Sequence, residues 1–568
     1  MTRTLLETRL LPVLATCAAA LAALATSACA APTRFALRPP LLRDTDDRPL
    51  QKPPANNEES DYANALDVIL FRPLSHAFLF EQAAEAHNTN SLDEVPDSTW
   101  FTNRTVLPAE MERGPCKDAG PVPPFTIKSS KTGGTTPGFQ VKDSRGQKYM
   151  LKLDALAGRQ PEISSAADAV VSRLYWAIGF NAPCNDVTFV DPKDMRVDDR
   201  STESLPTGKK VPLTAARVAE ILKRGTFTST GLLRVGASRF ISGEPVGTWR
   251  TEGTREDDPN DVIPHEDRRE LRGERFLAAW VNHWDSRGPN TFDAFVEAPA
   301  GGGHVLHYFL DFSDSLGATP IRTDFAEPRM GFTTVSNAPQ IATDAMGFGF
   351  VRRPWDEVRI DPRYPNLGYL DVEHFDPMGF SPQTPLVRWA RAQPADMAWM
   401  ARKIARIGAE HVRVALRVGK LSAPAENERL FEILMGRRQR ILRESFARVS
   451  PLADPTMTGR DRFCLVDLGV STGVSRAPVV RVTAELRAGE SLERAPRQAV
   501  LERSPDGERV CFALPPSAAP AAAPDDSAER YTTLDVVRDV DGHATTFHAA
   551  FYDLGPERGY ALAGVDRP

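Results

Sequence analysis

Three short segments of this 568-residue sequence carry residue types that phosphate chemistry requires. In Trp280-Val281-Asn282-His283-Trp284-Asp285-Ser286-Arg287-Gly288-Pro289-Asn290 a helical pattern runs into a loop offering Asp285 and, beyond it, Asn290. An apolar strand, His307-Tyr308-Phe309-Leu310-Asp311-Phe312, then delivers Asp311. Phosphoryl transfer needs one Asp to orient and deprotonate an acceptor hydroxyl, and an Asn and a second Asp to hold Mg²⁺ against the phosphates. Upstream, Tyr149-Met150-Leu151-Lys152-Leu153-Asp154 alternates so that Leu151 and Leu153 share one strand face. Lys152 lies on the other face, where its ammonium suits pairing with phosphate. The run from Ser129 to Gly138, with Gly133 and Gly134, lacks G-x-G-x-x-G spacing but can cradle phosphate through backbone N–H groups.

The elements that must position these residues follow from periodicity. Strands are expected at Phe125-Thr126-Ile127, Phe139-Gln140-Val141 and Tyr149 to Asp154, with a turn at Asp143-Ser144-Arg145-Gly146. Glu162 to Ile178 carries apolar residues at helical spacing and closes at Gly179. A short helix over Ala215 to Leu222 and a strand over Arg234 to Ser242 follow. Arg268 to His283 reads as a strong helix leading into the Asp285 loop, and helical periodicity returns over Pro394–Val418 and Glu426–Phe446. After a Pro-containing joint near Ser450 to Pro455 the pattern changes to short alternating strands.

On the quoted motifs the sequence resembles the protein-kinase-like superfamily, over about Phe125 to Phe446. It looks closest to divergent members such as the HipA-type kinases and the secreted or spore-coat kinases. The resemblance implies an α+β, bilobal protein-kinase-like fold with an appended C-terminal β-rich domain, and ATP and Mg²⁺ as cofactors. It implies Lys152 on the α- and β-phosphates, Glu162 as acidic partner of Lys152 or of the metal, and Asp285 as catalytic base. Arg287 would meet the transferred phosphate, and Asn290 and Asp311 would hold metal. Ser313 stands where the family's Asp-Phe-Gly turn has Gly, and Trp284 where Arg commonly precedes the base. The expected division is 121–245 small lobe, 246–450 mainly helical large lobe and 455–568 β-rich domain. An N-terminal extension, 62–120, precedes them.

The address comes from the first residues. Arg3 and Arg9 precede an apolar stretch from Leu10 to Ala25 and the small residues Thr26-Ser27-Ala28-Cys29-Ala30, the order of an export signal over 1–28. Ser27-Ala28-Cys29 resembles a lipobox, making Cys29 the expected site of lipidation; Ala28-Cys29-Ala30 also reads as an ordinary cleavage site, giving a soluble periplasmic protein. Residues 29–61 read as a Pro-rich tether. The expected location is thus the bacterial envelope, at the periplasmic side or the cell surface, with membrane attachment through a lipid anchor only. A net charge of −6 and pI near 6.0 give no basic field for nucleic acid. Cys116, Cys184, Cys464 and Cys511 form no CxxC. In an oxidising compartment they invite bridges Cys116–Cys184 and Cys464–Cys511, each closing a loop of tens of residues; four buried free thiols are the alternative.

Other features weigh less. His304 and His307 do not share a strand face, and the acidic run Glu256 to Asp261 lacks EF-hand spacing and reads as a solvated turn. Trp100, Phe101 and Trp249 read as buried anchors, and no G-x-S-x-G elbow supports a hydrolase. Two functions remain. One is an exported phosphotransferase acting on an envelope or extracellular protein or glycan. The other is a non-catalytic envelope lipoprotein that binds a partner through a kinase-like scaffold and the β domain.

Overall fold

The structure is a computed structural model that describes residues 34–57, 84–117, 120–131, 136–154, 160–205, 209–299, 301–318, 330–332, 338–348, 350–488, 497–517 and 519–568, with residues 66 and 71. Cys29, Gly133 and Gly134 lie outside the described residues. The described residues are mixed α and β, with four sheets among them.

The first sheet has seven strands in the order β4-β7-β3-β2-β1-β5-β6. These are β1 (Phe125–Ser130), β2 (Gly138–Lys142), β3 (Lys148–Leu153), β4 (Asn185–Val190), β5 (Met195–Ser204), β6 (Lys210–Pro212) and β7 (Leu233–Arg239). Along β3 the expected alternation holds: Tyr149, Leu151 and Leu153 are buried, while Met150 and Lys152 are intermediate. The buried face packs with Val218, Ile221 and Leu222 of helix Ala215–Leu222. On the other side helix α1 (Ile163–Ile178) lies against β4 and β7. Its close approach needs Gly236 of β7, where an added Cβ would stand 3.3 Å from Ser165 Cβ. Asp154, just past β3, caps the first turn of α1 by accepting from Ser165 N (2.9 Å) and Ser165 Oγ (2.5 Å), and Arg234 Nε binds the same carboxylate at 3.0 Å.

Below this sheet, helix α2 (Arg269–Val281) is buried along nearly its whole length and packs on α3 (Pro394–Ala405) and α5 (Pro424–Phe446). It ends at Asn282 in the left-handed conformation, so the chain turns sharply into the Asp285 loop. A hairpin follows, β9 (Thr291–Glu297) and β10 (Gly303–Phe309), and β9 also pairs with the two-residue β8 (Glu244–Pro245). Helix α4 (Ala409–Gly419) lies across α1.

From Leu452 onward the chain forms two antiparallel sheets of its own. One runs β11-β12-β16-β15 and the other β14-β13-β17-β18-β19. The strands are β11 (Leu452–Met457), β12 (Arg462–Asp467), β13 (Val480–Ala488), β14 (Arg497–Gln498), β15 (Val500–Arg503), β16 (Arg509–Ala513), β17 (Tyr531–Val540), β18 (His543–Asp553) and β19 (Tyr560–Asp566). Phe463, Leu465, Phe512, Leu534, Val536, Phe547 and Phe551 from both sheets share one core. Cys464 and Cys511 face each other in the β12–β16 register and are joined by a disulfide; Cys116 and Cys184 form a second.

Residues 34–57, expected to be a tether, run along the body instead. Phe35 is held by the hydroxyls of Tyr531 and Tyr552, Asp46 accepts three bonds from Thr99, and Leu50 and Gly303 exchange backbone bonds. The physical reason lies in what the composition pattern hid: Phe35 and Leu37 pack against Tyr531 and Tyr552, and Leu50 against Val246 and Phe295. The acidic run expected as a solvated turn is exposed at Glu256, Asp257 and Pro259 but buried at Asp258, Asn260 and Asp261. Asp261 binds His265 (2.7 Å) and Arg268 (3.5 Å), and Asp257 binds Arg255 (3.0 Å). Trp100, Phe101 and Trp249 are buried, with Trp100 stacked on His307 at 3.6 Å between ring centres.

Candidate functional site

Lys152 enters from β3 and meets two carboxylates. Its Nζ lies 2.7 Å from Asp311 Oδ1 and 3.2 Å from Asp168 Oδ2. The ammonium side chain is 14% exposed, Asp168 4% and Asp311 39%, so the Asp311 end opens outward. Asp311 follows directly on β10 and sits in the left-handed region (φ 51°), which turns the chain into the short Phe312–Asp314 helix. Ser313 Oγ donates to Asp311 Oδ1 at 2.8 Å, so the serine noted in place of a Gly hinge supplies a hydroxyl that steadies this carboxylate.

Asp168 lies one turn into α1 and is fixed on three sides. Besides Lys152, its Oδ1 accepts from Asn185 Nδ2 (2.8 Å) and from Phe312 N (3.2 Å). The partners of Lys152 are therefore Asp168 and Asp311, and Glu162, expected beside Lys152 or the metal, does not pair with Lys152. Glu162 precedes α1 and its Oε2 accepts from Ser422 N at 2.8 Å, so it ties the helix start to the loop after α4. Helix geometry explains the difference: once α1 lies across β7, the residue facing β3 is further along the helix than its first position.

Asp285 sits in the loop after α2, with Arg287 Nε 2.7 Å from its Oδ1 and Asn290 Nδ2 2.8 Å from its Oδ2. The same Asn290 amide donates to Asp285 O, and Asn290 O accepts from Leu310 N, which knits the loop to the end of β10 beside Asp311. Asp285, Asp311 and Asp314 interact electrostatically with one another, and Asp314 and Asp311 also with Lys152 and Lys131. The structure thus brings Lys152, Asp285, Arg287, Asn290 and Asp311 to one region, from strand, loop and turn segments far apart in sequence.

The charges respond accordingly. Burial raises Asp285 above the usual carboxylate range and Asp311 adds to this, against the opposing pull of Arg287 and Asn290. Burial also works against the Asp311 carboxylate, but Lys152 and Lys131 outweigh it and hold that group well below the usual range. Asp168 is raised by burial, and Asp314 is raised strongly by burial and by Asp311 and Asp285. Lys152 is raised by its two carboxylates despite burial, whereas burial and the neighbouring Lys152 lower Lys131. Of the four carboxylates, Asp311 is the one held firmly ionised, and no three of them bring oxygens within 4.8 Å of one another, so a cation here would draw on Asp311 with amide or single carboxylate oxygens beside it.

Sequence reasoning missed Asp168, Lys131 and Asp314. Asp168 had a signal: it is the one acidic residue in the otherwise apolar and small stretch Ile163 to Ser172, a carboxylate on a face that must be buried. Lys131 and Asp314 had none beyond nearness in sequence to residues already singled out.

No family model matches the chain, and no curated protein is matched. Among solved structures, the crystal structure of the golgi casein kinase matches at 11% identity and a TM-score of 0.22, over 56% of this chain and 76% of that one. Superposition of that quality does not define a shared fold.

Proposed function

We propose that this chain is an exported, protein-kinase-like phosphotransferase that moves a phosphoryl group from a nucleotide such as ATP to a hydroxyl of an envelope or extracellular protein or glycan. The observation that carries this reading is the bridge from Lys152 to both Asp168 and Asp311, with Asp285 and Asn290 alongside. In this reading the sheet with α1 is the nucleotide lobe and the helices below it are the acceptor lobe. Lys152 moves from Asp311 to the nucleotide phosphates, and Asp168 keeps the ammonium aimed as it does so. Asp311, Asn290 and Asp314 would hold Mg²⁺, which supplies charge neutralisation at the phosphates. Asp285, raised in pKa and steadied by Asn290, accepts the acceptor's proton, and Arg287 turns to the transferred phosphate. Cys29 is the proposed lipid anchor. The two disulfides are compatible with export, and no helix among the described residues is long and apolar enough to cross a membrane.

The test is thermal melting of the mature protein with Mg²⁺ and a panel of nucleotides, since a ligand that binds only the folded state raises the melting temperature. Asp311→Ala is expected to abolish the Mg²⁺-dependent shift. Asp285→Ala is expected to keep the shift and lose transfer. A wild type that no nucleotide stabilises would overturn the reading and leave a binding scaffold.

A further inference from the structure

Beneath the Asp285 loop lies a buried polar knot that the proposed chemistry does not use. Glu274, on α2, is fully buried, and its carboxylate gathers four donors. Oε1 accepts from Tyr175 Oη (2.5 Å) and Ser286 Oγ (3.0 Å); Oε2 accepts from Trp389 Nε1 (2.7 Å) and Arg388 Nη2 (3.3 Å). Arg388 is fully buried as well. The same Nη2 reaches Ser286 O and Ser286 Oγ, both at 2.9 Å, while its Nε and Nη1 have no hydrogen-bond partner. Aromatic faces surround it instead: the rings of Trp249, Trp389 and Phe309 lie 5.4, 5.7 and 5.9 Å from the guanidinium carbon.

Such a pair is a poor device for stability alone. Removing two charges from water costs several kcal/mol per ion before any attraction is counted, and two guanidinium nitrogens here gain no hydrogen bond in return. What the pair does uniquely is seize Ser286 by carbonyl and hydroxyl together. Ser286 is the residue next to Asp285. The loop's own backbone bonds are short-range turns, Trp284 N to Asn282 O, Arg287 N to Asp285 O and Asn290 N to Arg287 O, and its two ends are tied to the body by Gln383 N to Trp284 O (2.8 Å) and Leu310 N to Asn290 O (2.9 Å). Between those ties no backbone bond among the described residues holds Asp285 or Ser286 to the body. The remaining side chain below the loop, His283, is neutral, its pKa driven down to about 3 by burial and by Arg388. It touches the knot through Tyr175 Oη at 2.8 Å.

We propose that Glu274 and Arg388 are positioning residues that clamp the Ser286 peptide and thereby hold the Asp285 carboxylate beside Asp311. This rests on the phosphotransferase reading for its consequence in catalysis, but the clamp is a property of the loop and is measurable without turnover. It touches neither nucleotide nor metal. Loosening it is therefore expected to slow transfer while leaving nucleotide affinity in place.

The test uses the full mature protein with Ser286→Ala, Ser286→Thr and Glu274→Gln, each confirmed folded by its melting transition. Ser286→Ala, the mildest change, keeps the ion pair and removes the hydroxyl. Deuterium exchange at the amides of 284–290 is expected to accelerate about tenfold in Ser286→Ala and more in Glu274→Gln, because a freed turn no longer shares the protection of the body. Ser286→Thr is expected to restore it. The Mg²⁺-nucleotide melting shift is expected to stay as in wild type, with kcat down about tenfold or more and the nucleotide KM unchanged. Unaltered exchange at 284–290 in folded Ser286→Ala would overturn the clamp, whether or not Glu274→Gln folds. Accelerated exchange with kcat unchanged would overturn its role in catalysis. A wild type without transfer would sink the phosphotransferase reading, and the exchange result would still decide the clamp.

Discussion

Lys152 divides its ammonium between two carboxylates, and the two have different work to do. Asp311 is 39% exposed and must be released to metal and phosphate; Asp168 is buried and stays. Asp168→Asn is therefore expected to weaken the Mg²⁺-nucleotide melting shift without abolishing it, whereas a shift equal to wild type would deny Asp168 its role. Asp285 supplies a pH test. A base works deprotonated, and burial holds Asp285 above the ordinary carboxylate range, so transfer should rise with pH through that raised value and fail below it. Arg287 favours the charged form of Asp285; Arg287→Ala should move the acidic limb of the kcat profile to higher pH. Superimposable limbs would show that another group titrates. Asp285, Asn290 and Asp311 were legible because their chemistry and spacing are local. Asp168 was not, since its meeting with Lys152 depends on how α1 crosses β7, and no one-dimensional spacing encodes a crossing.

Helix α1 is the element that joins the parts of the site. Asp168 faces Lys152, and Tyr175, two turns on, reaches Glu274. Its depth on the sheet is set at Gly236, which pairs with Lys152 in the β3–β7 register and admits Ser165 where a side chain would press. Gly236→Val is expected to cost about 1–3 kcal/mol of stability by overpacking. It is also expected to weaken nucleotide binding, which an equally destabilising change in the C-terminal core, such as Phe547→Leu, would spare. Equal nucleotide affinity in both would dissociate the helix seating from the site. The strands and helices themselves were readable: β3 alternates as its sequence does, and α1 and α2 run close to their periodic spans. The paths between elements were not. Residues 34–57 have the prolines and charges of a linker, yet a handful of apolar and hydrogen-bonding side chains dock them.

At the scale of the whole chain, Asp93 ties distant parts together. It binds Arg269 on α2, Arg402 on α3 and Arg567 near the C-terminus, the last two at 3.1 and 2.6 Å. Burial disfavours its charge, but Arg402, Arg269 and Arg567 prevail and hold its pKa below the usual value. The stabilisation is thus present above the unfolded value of about 4 and lost as pH falls through the lower folded one. Asp93→Ala would take one carboxylate from three buried cations, of which Arg269 keeps Asp396 (3.3 Å) and Arg402 keeps Glu94 (3.5 Å), and should destabilise by about 3 kcal/mol, read in urea unfolding at pH 7. A change under about 1 kcal/mol would mean the arginines find other partners. The docked N-terminal segment leads to a last prediction. Only residues 30–33 separate the proposed anchor Cys29 from Arg34, and Phe35 is fixed to Tyr531 and Tyr552. An extended residue spans at most about 3.5 Å, so an acylated Cys29 would keep Arg34 within roughly 18 Å of the bilayer, with the β17–β19 sheet beside it. The body would then sit against the membrane instead of swinging on a long tether. Cys29→Ser is expected to leave the membrane fraction, and trypsin is expected to cut after Arg34 more slowly in vesicle-bound wild type than in that variant. A Cys29→Ser protein that stays with the membrane would refute the anchor. Equal cutting rates would refute the close seating even if the lipid is there.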